Sequence, residues 1–446
     1  MKYTREDIVR MVEEEDVEFI RLQFTDIFGT LKNIAITASQ LEKALDNQCM
    51  FDGSSIEGFV RIEESDMYLH PDLDTFTIFP WRPQQGKVAR LICDVYRPDG
   101  MPFEGDPRYV LKKVIKEAAD MGYQFDVGPE CEFFLYHLDD NGQPTTITHE
   151  KAGYFDLGPV DLGENARRDM VMTLEDVGIG IEASHHEVAP AQHEIDLKYG
   201  DALTIADSLM TFKLAVKTIA KRHGLHASFM PKPKQNINGS GMHINMSLSK
   251  DGVNIFADSE DEKELSQEAY YFMGGLLKYM KGIAAITNPL INSYKRLVPG
   301  GEAPVQISWA RNNRSALVRI PGYKPDKEEA CRVELRSPDS AANPYLAFSA
   351  VLAAGLKGIE EELELCPPME EDFARGLSRQ ELRARGFESL PDTLGEAVEL
   401  FAESELMKEV LGEHIHSFLV KVKREEWNEY QRQVSNWEFD RYLGVL

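Results

Sequence analysis

The chain has 446 residues, of which 43% are hydrophobic, and it carries a formal net charge of −26. This length exceeds what one hydrophobic core usually organises, so we expect two domains. The acidic balance argues against nucleic acid and anionic membranes as partners, and no apolar run approaches the ~20 residues of a membrane span. The charged N-terminus is unlike a secretory signal, and the five cysteines form no CxxC pair. The sequence therefore predicts a cytoplasmic protein without disulfides or a zinc knuckle.

The beginning of the chain predicts a small α+β unit. A capping threonine precedes a helix over about 5–15, and VEFIRLQF and LKNIAI have the composition of strands. TASQLEKAL then predicts a second helix, and FTIFPW and VARLICDVY predict two more strands. Asp106 can cap the next helix, with Pro107 in its first position. We therefore predict two domains, 1–104 and 105–446.

Beyond this boundary, amphipathic helices alternate with strands that carry polar residues on one face. From about residue 343 the sequence turns mostly helical, and it shows no internal repeat or low-complexity tract. The longest predicted helices cover about 107–120, 164–177, 202–222 and 264–285.

The polar residues that suggest a catalytic function lie on a few of these strands. VGPECEFFLY predicts a strand with Glu130 and Glu132 on one face, because side chains alternate along a strand. Two like charges in a half-buried strand are costly unless a cation lies between them. The apolar flanking residues favour this interpretation over an exposed polar face.

A second acidic segment, EASHHEVAPAQHEIDLKY, places Glu187 and Glu194 beside three histidines. Carboxylate and imidazole together suit Mn²⁺, Mg²⁺ or Zn²⁺. Taken singly, the histidines are better interpreted as hydrogen-bonded core residues; they are His185, His186 and His193.

Two further strands add ligand-type and cationic groups. NGSGMHINMSLS alternates His243, Asn245 and Ser247 on one face after a glycine-rich turn, a pattern that alone predicts only a hairpin. CRVELRSPD places Glu334 between two arginines, which suits either an ion-pair network or a metal ligand among phosphate clamps. The arginines of this part of the chain are Arg296, Arg314, Arg319, Arg332 and Arg336.

Together these residues predict a phosphate-handling enzyme with two metal ions. Carboxylates with a single ligand-type imidazole favour Mg²⁺ or Mn²⁺ over zinc. The chain has no Walker A sequence, no kinase glycine-rich loop and no GxGxxG, so strands and metals would hold the nucleotide.

Seven motifs, in order across nearly the whole chain, resemble the type I glutamine synthetase family: FDGSSIEGFVRIEESDMYL, GPECEFF, HHEVAPAQHEID, KPKQNINGSGMHINMS, KRLVPGGEAPV, NRSALVRIP and RVELRSPD. The resemblance implies an α+β fold, with a small N-terminal β-grasp-like domain and a large catalytic domain built on a curved antiparallel sheet with surrounding helices. It also implies two metal sites. One would use Glu132, Glu187 and Glu194; the other would use Glu130, His243 and Glu334.

The resemblance further implies a ligase that joins ammonia to L-glutamate with ATP, through γ-glutamyl phosphate, in nitrogen assimilation and glutamine biosynthesis. Glutamate would bind Asn238, Gly239, Arg296 and Arg336, and the transferring phosphoryl would meet Arg314 and Arg319. The nucleotide pocket would include Glu182, Asn245, Met246, Ser247 and Arg332. Asp52 would deprotonate ammonium, although FDGSS alone suggests a solvated turn, and Glu302 would lie on a flap that closes the site.

The family resemblance also implies assembly and regulation. Sites would be shared between neighbouring subunits of a dodecamer made of two hexameric rings, with SNWEFDRYLGVL as a ring-to-ring arm. EEDFARGLSRQEL lacks the tyrosine that some members adenylylate, and an insertion near 145–155 is missing, so we predict no adenylylation. Arg61 matches an arginine through which a subgroup senses glutamine, or it is a salt-bridged loop residue. Control by small regulatory proteins is left open.

Two rival functions follow from the same residues. The first is a γ-glutamyl ligase for a polyamine or another amine, because a fold never fixes the substrate. The second is a non-catalytic relative that serves in a structural or regulatory assembly. Retention of every metal-type and phosphate-type residue disfavours the second.

Overall fold

The computed structural model describes residues 2–59, 65–82, 85–324, 327–369, 379–384 and 387–446. Its N-terminal part is a five-stranded sheet in the order β2-β1-β5-β4-β3, in which β1 and β5 are parallel and the other neighbours antiparallel. The elements are α1 (Arg5–Glu14), β1 (Val17–Thr25), β2 (Leu31–Thr37), α2 (Leu41–Leu45), β3 (Cys49–Asp52), β4 (Asp66–Ile78) and β5 (Lys87–Tyr96).

Helix α1 begins as predicted, because Thr4 accepts a hydrogen bond from the backbone N–H of Asp7 and completes a capping box. Two details of the small sheet differ from the prediction. Strand β3 includes Asp52, where a turn was expected, and β4 begins at Asp66, well before FTIFPW. Pro71 and several aspartates give the first half of β4 the composition of a loop, yet Pro71 and Asp72 pair with β5, and a register shift follows between Asp72 and Thr77.

The second sheet has ten strands, with the central order β13-β14-β15-β11-β6-β8-β7, and β9, β10 and β12 at its margins. Its pairings are antiparallel except that between β13 and β14. The strands are β6 (Gln124–His137), β7 (Ile181–His186), β8 (Gln192–Leu197), β9 (Gly200–Asp201), β10 (Leu225–Ser228), β11 (Met242–Lys250), β12 (Val253–Asn254), β13 (Trp309–Ala310), β14 (Val318–Arg319) and β15 (Val333–Leu335).

The helices of this larger part are α3 (Pro107–Asp120), α4 (Glu164–Asp176), α5 (Ala202–Arg222), α6 (Gln267–Thr287), α7 (Ser293–Arg296), α8 (Pro344–Glu360), α9 (Arg379–Ala384), α10 (Leu394–Ala402), α11 (Glu405–Tyr430) and α12 (Asn436–Glu438). The first four lie close to the positions predicted for them. Asp106 caps α3 by accepting from Arg108 N, with Pro107 in the first turn as predicted. Helices α6 and α8 pack closely where Gly275 faces Gly358; a Cβ at 275 would lie 2.0 Å from a backbone oxygen of α8.

A buried cluster of charged residues connects the small sheet to two helices of the larger part. The guanidinium of Arg108, at the start of α3, lies 2.7 Å from Asp72 of β4, 2.6 Å from Asp94 of β5 and 2.9 Å from Asp207 of α5. Because Arg108 is buried, these three ion pairs fix the small sheet against the helices of the larger part.

The C-terminal segment after α11 carries exposed apolar side chains, such as Trp437 at 61% and Leu443 at 73% exposure. Among the helices within the described ranges, none is both long enough and apolar enough to cross a membrane.

Candidate active site

One face of the large sheet gathers the predicted metal ligands. In the strand register, Glu130 of β6 lies opposite His243 of β11 on one side and Asp196 of β8 on the other. Two residues along β6, Glu132 lies opposite Glu194 of β8. Since side chains alternate in direction along each strand, these residues all project from the same face.

The predicted second metal group is compact. His243 Nδ1 lies 3.1 Å from a Glu130 carboxylate oxygen and 3.6 Å from a Glu334 oxygen. One ligand atom from each of these residues falls within 4.8 Å of the others. Asn245 Nδ2 donates to Glu130 at 2.9 Å, which fixes the orientation of that carboxylate. The three side chains therefore form a preformed group of hard oxygen and imidazole donors.

The predicted first metal group is a cluster of carboxylates. The charges of these carboxylates interact: Glu187 contributes to a raised pKa of Glu132, and Glu132 contributes to a raised pKa of Glu194. His185 lies 4.0 Å from Glu187 and 3.9 Å from Glu194. Glu132 is held in place by Gln192 Nε2 at 2.8 Å and by a backbone N–H at 3.0 Å.

Burial and mutual repulsion disfavour the ionised form of several carboxylates on this face. Burial, followed by repulsion from Glu132, raises the pKa of Glu194 well above its ordinary value. Burial and the charge of Glu130 raise the pKa of Asp196 to about 7. Burial alone would raise the pKa of Glu130, but the hydrogen bond and charge of His243 lower it to about 2. Several carboxylates thus compete for too little positive charge, and divalent cations would relieve the conflict.

The arginines surround the same carboxylates. Arg319 Nη1 lies 2.9 Å from Glu334, and Arg336 contacts the other oxygen of that carboxylate. Arg336 Nε also donates to the backbone oxygen of Arg314 at 3.1 Å. Arg296 is buried and donates to the backbone oxygen of Ser337 at 2.7 Å. The structure therefore places the side chains of Arg319 and Arg336 on Glu334, with Arg296 and the backbone of Arg314 next to Arg336.

The glycine-rich turn before β11 meets the predicted flap. Asn238 donates a hydrogen bond to the exposed carboxylate of Glu302. A Cβ at Gly239 would lie 2.2 Å from the backbone oxygen of Pro231 and 3.1 Å from Arg296. Only glycine fits at this close approach, as the sequence suggested for a ligand-facing turn.

The residues predicted for the nucleotide lie on adjoining strands. Arg332 Nε donates to Asn245 Oδ1 at 3.1 Å, and Ser247 accepts from Tyr199 at 2.7 Å. Glu182 is exposed on β7. Met246 projects from the opposite face of β11 into the core, so only its backbone faces this region.

Asp52 stands apart from this face. It is exposed at the end of β3, an edge strand of the small sheet, and accepts from Ser54 N at 2.8 Å and Ser54 Oγ at 2.6 Å. Within the described part of the chain it makes no hydrogen bond to the other candidate residues. Arg61 lies outside the described residues, as does most of the stretch 370–382.

Two family models cover most of the chain. The glutamine synthetase catalytic domain matches residues 104–442, and the glutamine synthetase beta-Grasp domain matches residues 16–98. The chain belongs to the glutamine synthetase family. This membership accounts for the small and the large sheet found above, and for the mixed α+β architecture predicted from the sequence.

Individual relatives agree with this family. The chain is 62% identical to a glutamine synthetase of Clostridium saccharobutylicum over 444 residues, which is 99% of both chains. It is 56% identical to glutamine synthetase of Staphylococcus aureus over 99% of this chain and 98% of the relative. Among solved structures, a GmaS/ADP complex superposes with a TM-score of 0.89 at 33% identity, over 98% of this chain and 100% of that chain. Glutamine synthetase of Plasmodium falciparum gives a TM-score of 0.87 at 26% identity, over 99% of both.

Sequence reasoning missed three side chains of this glutamine synthetase-family site. Gln192 holds Glu132, and Asp196 extends the row of carboxylates that includes Glu194. The alternation in QHEIDL offered a signal for Asp196. Tyr154 lies beside His185, with ring centroids 5.6 Å apart, but its loop gave no local signal. Of the three histidines, His186 and His193 are buried and hydrogen-bonded as predicted, whereas His185 faces the carboxylates.

Proposed function

We propose that this chain catalyses the ATP-dependent ligation of ammonia to L-glutamate, which gives L-glutamine by way of γ-glutamyl phosphate. The observation that carries the proposal is the single sheet face on which the metal-type carboxylates, His243 and the arginines converge in a chain of this family. Carboxylates supply cation sites and the arginines supply anion sites, and phosphoryl transfer needs both.

Two divalent ions, Mg²⁺ or Mn²⁺, fit this donor set. Oxygen donors dominate and each group has at most one imidazole nearby, which is the preference of these hard cations. In the proposal, Glu132, Glu187 and Glu194 hold one ion, and Glu130, His243 and Glu334 hold the other. When bound, the ions supply charge neutralisation for the phosphates of ATP.

The chain's own residues then position and shield the reactants. Arg296 and Arg336, with Asn238 and the backbone at Gly239, bind glutamate, while Arg314 and Arg319 neutralise charge on the transferring phosphoryl. Phosphate leaves an acyl phosphate far more readily than hydroxide leaves a carboxylate. The flap that carries Glu302 keeps water from this intermediate.

We assign nucleotide binding to residues on and beside the neighbouring strands. Glu182, Asn245, Ser247 and Arg332 line the pocket, and Met246 contributes through its backbone alone because its side chain is in the core.

Asp52 is proposed to take the proton from ammonium in a neighbouring subunit's site. Its exposure at the end of an edge strand supports this role, because the carboxylate is open to a neighbouring subunit. Hydrogen bonds from Ser54 lower the pKa of Asp52. Sharing of sites implies a ring, and the exposed apolar C-terminal segment supports a second, stacked ring in a dodecamer.

We also propose a domain boundary at residue 104 and two regulatory features. The absence of a tyrosine from EEDFARGLSRQEL supports a protein that is not adenylylated. Arg61 is proposed as the residue that senses glutamine.

The test is phosphate release from ATP with Mg²⁺ and glutamate, with ammonium, methylamine or a polyamine as the acceptor. Ammonium-dependent release with glutamine as the product is the expected result. Release with only a larger amine would assign the chain to another γ-glutamyl ligase. No release from an assembled, metal-loaded sample would refute the proposal.

A further inference from the structure

A buried carboxylate behind the metal-type face organises four backbone and side-chain donors. One oxygen of Glu150 accepts from His186 Nε2 at 2.7 Å and from the backbone N–H of Ala191. The other oxygen accepts from Leu162 N at 2.8 Å and from Gly163 N at 3.2 Å. Glu150 is only 6% exposed, so these hydrogen bonds replace its solvation completely.

The surroundings of Glu150 contain metal-type residues, but an arginine supplies the cation. Glu150, Asp161, His186 and His193 offer ligand atoms within 4.8 Å of one another, and all four are buried. Arg167 Nη1 lies 2.8 Å from Asp161 Oδ2 and 2.7 Å from His193 Nδ1. The guanidinium thus contacts two of the four residues and supplies positive charge within the group, which we interpret as a structural network.

This network joins three segments that form one wall of the proposed site. His186 ends β7, and its ring also hydrogen-bonds the backbone oxygen of Glu187 at 2.6 Å. The backbone oxygen of His186 accepts from Phe155 N at 3.0 Å. Phe155 stacks on Tyr154 with ring centroids 3.9 Å apart and meets the His185 ring edge-on at 4.8 Å.

Consequently, three segments at the site depend on one carboxylate outside it. Glu187 is fixed through the His186 ring, the turn after Glu187 is fixed through Ala191, and the loop with Tyr154 is fixed at residues 162 and 163. We propose that Glu150 is a positioning residue, which acts through His186 and Ala191 to aim Glu187 at its cation and through the 151–163 loop to place Tyr154 beside it. The inference rests on the proposed function insofar as Glu187 is taken as a metal ligand.

Glu150→Gln tests this role because an amide cannot replace the carboxylate in either orientation. Each oxygen faces at least one backbone N–H, from Ala191 on one side and from Leu162 and Gly163 on the other, so the new NH₂ group must face a donor whichever way the amide is turned. Mn²⁺ binding to the full-length assembled protein, without ATP or glutamate, is followed by electron paramagnetic resonance. Removing a residue that hydrogen-bonds a metal ligand typically weakens metal binding by ~10–100-fold. We expect the Mn²⁺ affinity of one site to fall by such a factor, with the number of sites unchanged.

Two further readouts separate positioning from general instability. The kcat of Glu150→Gln should fall about tenfold at limiting Mn²⁺ and recover at high Mn²⁺, as expected for ~10–100-fold weaker metal binding, while the KM for ATP stays near native. Asp106→Asn is the matched control. It also alters a buried carboxylate that accepts two backbone N–H groups, from Val95 and Arg108, but touches none of the three segments. Its Mn²⁺ binding should be native.

Glu187→Gln serves as the reference variant and should weaken the same Mn²⁺ site. If it does and Glu150→Gln binds Mn²⁺ like the native protein, the positioning role is refuted while the proposed function stands. If Glu150→Gln instead loses one ion per subunit, Glu150 is itself a ligand and the inference is wrong. If Glu187→Gln binds normally, the metal assignment fails and the inference falls with it. Should the Gln variant not assemble, Glu150→Asp carries the same test: weaker binding is expected, and native affinity refutes the role.

Discussion

Replacing Gly241 by alanine should disable the site without removing any ligand. The structure gives the new Cβ three close neighbours: Arg296 Nη2 at 2.6 Å, His243 Nε2 at 3.0 Å and Glu132 Oε1 at 3.3 Å. A separation below 3.4 Å is already tighter than nearly all real Cβ contacts, so the Arg296 guanidinium must move by about 0.8 Å. Misplacements near 1 Å cost roughly 10²-fold in rate, so we expect kcat/KM for glutamate to fall by about that factor, ~2.7 kcal/mol.

The assay is steady-state phosphate release together with Mn²⁺ binding, both measured on the assembled protein. Gly322→Ala is the matched control, because a Cβ there meets no atom of the described residues within 4 Å and the backbone is not left-handed. Both properties should stay native in the control. Native Mn²⁺ affinity and turnover within about threefold of native for Gly241→Ala would refute our argument, since a group this compact cannot accommodate an added methyl freely.

Three further predictions concern other residues. Glu334→Ala removes a carboxylate shared by the second metal group and two arginines, so phosphate release should fall by at least ~10²-fold, and the loss of one Mn²⁺ site should accompany it; full activity would exclude Glu334 as a ligand. Asp52→Ala should bind ATP and glutamate normally but form glutamine slowly. Mixed oligomers of the Asp52→Ala and Glu334→Ala chains should recover activity if neighbouring subunits share sites. Failure to recover would indicate that each subunit has a complete site of its own. Burial and the charge of Asp94 raise the pKa of Asp106 to about 7. Since the folded chain keeps this proton to higher pH than the unfolded chain does, the free energy of unfolding should fall by ~2–4 kcal/mol as the pH rises from about 4 to about 7. Asp106→Asn should flatten this part of a melting-temperature profile of the metal-free protein, and an unchanged profile would contradict the assignment.

The parts of the site that the sequence predicted are those with strictly local signals. Strand alternation was enough to place Glu130 with Glu132, and His243 with Asn245, on one face, because flanking apolar residues marked β6 and β11 as strands. Helix α3 was predicted to the residue, since Asp106 and Pro107 are strong start signals.

The parts that were missed depend on contacts between distant segments. Tyr154 reaches His185 because the neighbouring Phe155 N–H donates to the backbone oxygen of His186 at the end of β7, and no pattern within the loop encodes that contact. Strand β4 was predicted too short because its first half contains Pro71 and Asp72, residues that disfavour strands in general. Its pairing with β5 outweighs this local preference.

The placement of Glu334 explains how so acidic a chain can hold anionic substrates. This carboxylate is 1% exposed, and it contacts Arg319 and Arg336 while lying 3.6 Å from His243. Breaking a buried ion pair leaves one charge without a partner and costs ~3–5 kcal/mol. The pairs with Glu334 therefore hold the guanidiniums of Arg319 and Arg336 in place before any substrate binds. Charge donors that are fixed in advance need no reorganisation when charge develops on a transferring phosphoryl. The same carboxylate therefore serves the proposed cation site and orients the proposed anion site, which is why its loss should damage both at once.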